Sequence, residues 1–136
     1  MRKKDASRYK ILIVDDEEGM CEFLRYLLEE EGYAVDEARS GDEALDKLRR
    51  DRFALVLADI KMPGMDGLEM LRRIKEMSED TVVIVMTAYA SLETAIKAIK
   101  YEAYDYLVKP FEDTDKVLAT IEKGLQHYQE RTAVPF

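Results

Sequence analysis

The chain of 136 residues is short of several things that would define other protein classes. Its one cysteine, Cys21, excludes an internal disulfide. That fits a reducing, cytoplasmic setting, and Cys21 reads as a packing residue beside Met20. Its one histidine, His127, has no partner at ligand spacing and reads as a solvated surface residue. Apolar stretches such as "ILIV" and "VVIVM" fall far short of the roughly 18 residues that a membrane span needs. Basic residues are in deficit, 21 against 29 acidic, for a formal charge of −8. This excess argues against direct nucleic-acid binding and favours a metal cation or a basic partner. No internal repeat or Pro/Gly-rich linker divides the chain. "MRKKDASRYK" is basic, but "ILIV" is too short for a signal-peptide core, so residues 1–8 read as a short leader.

What is present is alternation. Five apolar runs read as strands: Lys10–Val14, Ala34–Ala38, Ala54–Ala58, Val82–Met86 and Asp105–Val108. Most are continuously apolar, as in a parallel sheet covered on both faces. Between them apolar residues recur with helical spacing. Examples are Leu24, Leu27 and Leu28, then Leu68, Leu71 and Ile74, then Leu92, Ala95, Ile96 and Ile99. A last helix carries Val117, Leu118, Ile121 and Leu125. Gly32 is a plausible residue for closing the first helix. The pattern predicts (βα)₅, a doubly wound three-layer α/β domain over residues 9–127. From Gln126 a helix end is expected, with 128–136 as a tail or linker stub.

In a parallel sheet all strands end at one edge, where open α/β folds bind ligands. Asp15 and Asp16 follow the first strand, Asp59 the third, Thr87 the fourth and Lys109 the fifth. Asp59 is not needed as a helix cap, because Asp66 already stands before Gly67-Leu68-Glu69. Asp15 and Asp16 have a bland reading as caps of the first helix. Three carboxylates about 4 Å apart repel one another by about 4 kcal/mol per pair at an effective dielectric near 20. Either one is protonated or a cation sits among them. All-oxygen donors favour a hard cation such as Mg²⁺, which retains waters for a phosphate oxygen. Lys109 suits a second phosphate oxygen and Thr87 a third. Asp59 is then the carboxylate nucleophile of a phosphoryl-accepting site.

"ILIVDDE", "LVLADIKMPGMDG", "VIVMTAYAS" and "YDYLVKPF", in that order, resemble the receiver domain of two-component response regulators. The later segments are most similar to the NtrC-type branch. The resemblance implies a flavodoxin-like (CheY-like) sheet of order 2-1-3-4-5. It implies Mg²⁺ held by Asp16, Asp59 and the Lys61 backbone carbonyl, with Asp15 acting through water. It further implies phosphoryl transfer to Asp59 from a sensor histidine kinase, a switch pair Thr87 and Tyr106, and a cis Lys109–Pro110 bond. The responding surface is the fourth helix, fifth strand and fifth helix, a possible homodimer face. Such a protein is a signalling switch that takes part in its own phosphotransfer and autodephosphorylation, rather than an enzyme.

Three features depart from or vary within the pattern. Glu102 stands where relatives usually have glycine, at a cost of roughly 1 kcal/mol if the residue is left-handed. Lys61 and Tyr89 flank the site at variable positions and are expected to slow loss of the phosphoryl group by screening it from water. No output domain is present in these residues. Two rivals fit less well. A haloacid-dehalogenase-like phosphatase would need Asp-x-Asp, where this chain has Asp59-Ile60-Lys61. A degenerate receiver, acting as an interaction module without phosphorylation, would not need all five rim residues.

Overall fold

A computed structural model describes residues 9–62, 64–88 and 91–133. Five strands, β1 (Lys10–Val14), β2 (Ala34–Ala38), β3 (Leu55–Asp59), β4 (Val82–Thr87) and β5 (Asp105–Val108), form one sheet. The order is β2-β1-β3-β4-β5 and every pairing is parallel. Helices α1 (Glu18–Glu30), α2 (Gly41–Arg50), α3 (Gly67–Met77), α4 (Leu92–Lys100) and α5 (Thr114–Thr132) connect and follow the strands. Architecture and strand order agree with the sequence reading.

The central strands are apolar in both directions because both faces are covered. Ile11 and Ile13 of β1 face α1 and α5, packing with Leu24, Leu28, Ile121 and Leu125. Leu12 and Val14 face the other way, with Leu45, Met70, Leu71 and Ile74. Each such fully buried aliphatic side chain contributes roughly 1.5–3 kcal/mol. The outer strand β2 is protected differently. Glu37 pairs with Arg25 and Arg39, and Asp36 with Lys47, placing charge along the sheet edge.

The helix ends follow local chemistry. Ser40, Asp66, Ser91 and Asp113 each accept a backbone N–H in the first turn of α2, α3, α4 and α5. At α1 the N-cap side chain is unused, and Asp15 instead accepts the Glu17 N–H at 3.0 Å. Gly32, at φ 91°, closes α1: its N–H bonds Glu29 O and the Tyr33 N–H bonds Leu28 O. The same motif closes α4, with Glu102 N–H to Ile99 O and Ala103 N–H to Ala98 O. Glu102 therefore occupies the left-handed position at φ 69°.

One expectation changes, and one helix packs in a way its spacing does not show. The last helix continues to Thr132, past the end expected from Gln126 onward, because no glycine or proline stands between Gln126 and Pro135. The apolar stripe of α4 does not face the core: Leu92, Ile96 and Ile99 are 79%, 56% and 73% exposed. Ala98 is the residue α4 buries. A small side chain seats the helix on the sheet, and the large ones point away.

Candidate functional site

Strand pairing assembles the rim. Asp59 closes β3 and stands beside Met86 of β4. Thr87 closes β4 opposite Val108 of β5, and the Lys109 N–H donates to Thr87 O at 2.8 Å. The Asp15 N–H donates to Ala38 O at 3.1 Å, fixing the residue that leaves β1. Asp15, Asp59 and Thr87 are buried at 0%, 4% and 1% exposure. The Lys109–Pro110 peptide is cis.

Lys109 joins the carboxylates. Its Nζ donates to Asp15 Oδ2 at 2.7 Å and to Asp59 Oδ2 at 3.3 Å, and lies 3.6 Å from Glu17 Oε1. Burial lowers the ammonium's pKa, but Asp15 and then Asp59 outweigh it and leave Lys109 above the ordinary lysine value. Asp59 is shifted upward. Burial is the main cause, and the Lys61 N–H (3.0 Å to Oδ1) and Lys109 offset it only in part.

Carboxylate oxygens of Asp15, Glu17 and Asp59 lie within 4.8 Å of one another, and this group could hold a metal ion. The fit is chemical: three acids face one ammonium, and every donor is a hard oxygen. Asp16 and Glu17 are both exposed, and Glu17 belongs to that group while Asp16 lies outside it. Glu17 was not singled out from sequence. In the run Asp15-Asp16-Glu17-Glu18 nothing but the path of the chain leaving β1 decides which acids come near Lys109.

Lys61 is exposed in the loop after β3. Tyr89 lies outside the described residues. Tyr106 packs against the core on the α4 side, and its hydroxyl is buried with no hydrogen-bond partner among the described residues. No described helix is long and apolar enough to cross a membrane.

Residues 11–122 match the family model described as the response regulator receiver domain. The transcriptional regulatory protein ZraR of Escherichia coli (strain K12) is 47% identical over 117 residues, covering 86% of this chain. The chain spans only about a quarter (26%) of that relative's length. The beryllofluoride-activated NtrC4 receiver domain dimer superposes with a TM-score of 0.83 at 43% identity, covering 88% of this chain and 98% of that one. TrrA of Thermotoga maritima, in complex with Mg²⁺ and beryllofluoride, gives 0.78 at 37% identity, with 85% and 98% covered. The chain belongs to the response regulator receiver domain family of two-component systems and is similar to its NtrC-type branch.

Proposed function

We propose that Asp59 is the phosphoacceptor, that a sensor histidine kinase is the donor, and that Mg²⁺ is the metal. The observation carrying this reading is the Lys109 bridge between Asp15 and Asp59 on the strand-end rim. An Asp59 oxygen attacks phosphorus as the P–N bond of the kinase phosphohistidine breaks, its electron pair returning to the imidazole nitrogen. Lys109 turns from the carboxylates toward a phosphoryl oxygen, and the Thr87 hydroxyl donates to another. Mg²⁺, when bound, neutralises charge between the carboxylates and the phosphoryl oxygens. Asp59, Asp15, the Lys61 carbonyl and an acid from the Asp16-Glu17 pair would hold it. Lys61 and Tyr89 slow autodephosphorylation, the role that the family resemblance gives to these two positions.

The output follows from Thr87 moving toward the phosphoryl group and Tyr106 filling the space behind it. The exposed Leu92, Ile96 and Ile99 of α4 and Val108 of β5 form an apolar surface that supports pairing with a second copy through α4, β5 and α5. The output domain lies outside this chain, in keeping with the greater length of the curated relatives. Hydrogen exchange with and without beryllofluoride and Mg²⁺ tests the reading. Changes across residues 91–132 in the wild type, absent in Asp59→Asn, are expected; changes confined to α1 and α2 contradict it.

A further inference from the structure

We propose that Gly67 is a positioning residue for the phosphoacceptor, an inference that rests on reading Asp59 in that role. Gly67 is the first residue of α3 and is buried. A Cβ built there would stand 2.6 Å from Asp59 O, 2.5 Å from Ile60 Cα and 2.9 Å from Ile60 O. All three are backbone atoms, so no side-chain rotation can relieve the clash. The hydrogen in place of a side chain lets α3 begin directly against the end of β3.

That contact closes a loop. The Gly67 N–H donates to Ile60 O at 3.1 Å, and the Ile60 N–H donates to Met86 O at 3.0 Å, tying the start of α3 to β4 through Ile60. Inside the closure the Lys61 N–H holds Asp59 Oδ1. The position of α3 therefore fixes both the backbone that carries the nucleophile and the turn that orients its carboxylate. Asp66, beside Gly67, caps α3 through the Leu68 N–H at 2.7 Å, so the helix start cannot slide freely. Gly41, at the start of α2, supports the same loop from the other side: a Cβ there would stand 2.9 Å from Met65 Cβ.

Gly64 provides the contrast. It lies in the same loop at φ 86°, and an added Cβ would meet nothing within 4 Å. Gly64→Ala strains the loop without pushing on β3. Gly67→Ala must move β3 and α3 apart by the better part of an ångström, a displacement that costs an in-line reaction roughly 100-fold.

The test is the rate of phosphoryl uptake from acetyl phosphate at saturating Mg²⁺ and donor, read by intact mass, with melting followed in parallel. Gly67→Ala is expected to lower this maximal rate roughly 100-fold. Gly64→Ala is expected to lose stability and keep the wild-type rate. Equal rates in the two variants overturn the inference. If Gly67→Ala does not fold, Gly41→Ala decides: slower uptake than Gly64→Ala supports the inference, and an equal rate overturns it. A wild-type protein that takes no phosphoryl group on Asp59 overturns instead the reading on which the inference rests.

Discussion

Lys109 and Asp15, 94 positions apart in sequence, meet at 2.7 Å, with side chains 8% and 0% exposed. The pair has two consequences. It neutralises a carboxylate that burial alone would penalise, and it holds the ammonium beside Asp59 before any phosphoryl group arrives.

Removing the cation should therefore uncover the cost of the acids. Lys109→Met leaves Asp15 buried and unpaired, and an expected loss of 3–5 kcal/mol, roughly, follows from breaking a buried pair on one side. Chemical denaturation without metal measures it. Mg²⁺ should restore more stability to the variant than it adds to the wild type, because a bound cation replaces the missing charge.

Asp59 and Glu37 should respond to pH with opposite signs. Asp59 has a raised pKa, chiefly from burial, so the native state binds its proton more tightly than the unfolded chain. Its contribution is present below the unfolded carboxylate pKa and is lost as pH rises through the folded value. Without Mg²⁺, Asp59→Asn should be more stable than the wild type at pH 7, and the difference should shrink on acidification. Glu37 is held low, first by Arg25 and then by Arg39. Glu37→Gln should lose about 1 kcal/mol at pH 7. That loss should fade as pH falls through the carboxylate range. Urea midpoints across pH 3–7 check both (a range chosen to span roughly the carboxylate pKa values).

Glu102 occupies at φ 69° the position that Gly32 fills in the equivalent turn of α1. Glu102→Gly should stabilise the domain by roughly 1 kcal/mol. At this chain length that is a rise of about 3–5 °C in Tm. A fall in Tm would mean that the side chain contributes contacts outweighing its backbone strain.

The phosphoform of the double variant Lys61→Asn/Tyr89→Glu should hydrolyse faster than that of the parent. A loss of about 1.4 kcal/mol in the screening of water corresponds to a tenfold change in rate. Phosphate release in excess Mg²⁺ measures it, and an equal or longer lifetime in the variant counts against the roles given to Lys61 and Tyr89.

Much of this arrangement was readable in the residues, for reasons that also explain the misses. Leu55 to Ala58 announced a buried strand by being apolar on both faces, and Asp66 left Asp59 without a capping task. Gly32 signalled its turn because backbone geometry favours that residue type. Glu17 gave no such signal: it sits among four consecutive acids, and only the exit from β1 brings it toward Lys109. The stripe of α4 is a different case. Periodicity identifies one apolar face of a helix, but not whether that face meets this chain's core or another surface. Leu92, Ile96 and Ile99 have the spacing of a core face while Ala98 makes the contact.

The central claim is that Asp59 accepts a phosphoryl group in a metal-dependent reaction. Incubation with acetyl phosphate, with and without Mg²⁺, followed by intact mass and peptide mapping, tests it most directly. A single phosphoryl gain is expected, located on Asp59, dependent on Mg²⁺ and absent in Asp59→Asn. A gain that persists at wild-type stoichiometry in Asp59→Asn would contradict it.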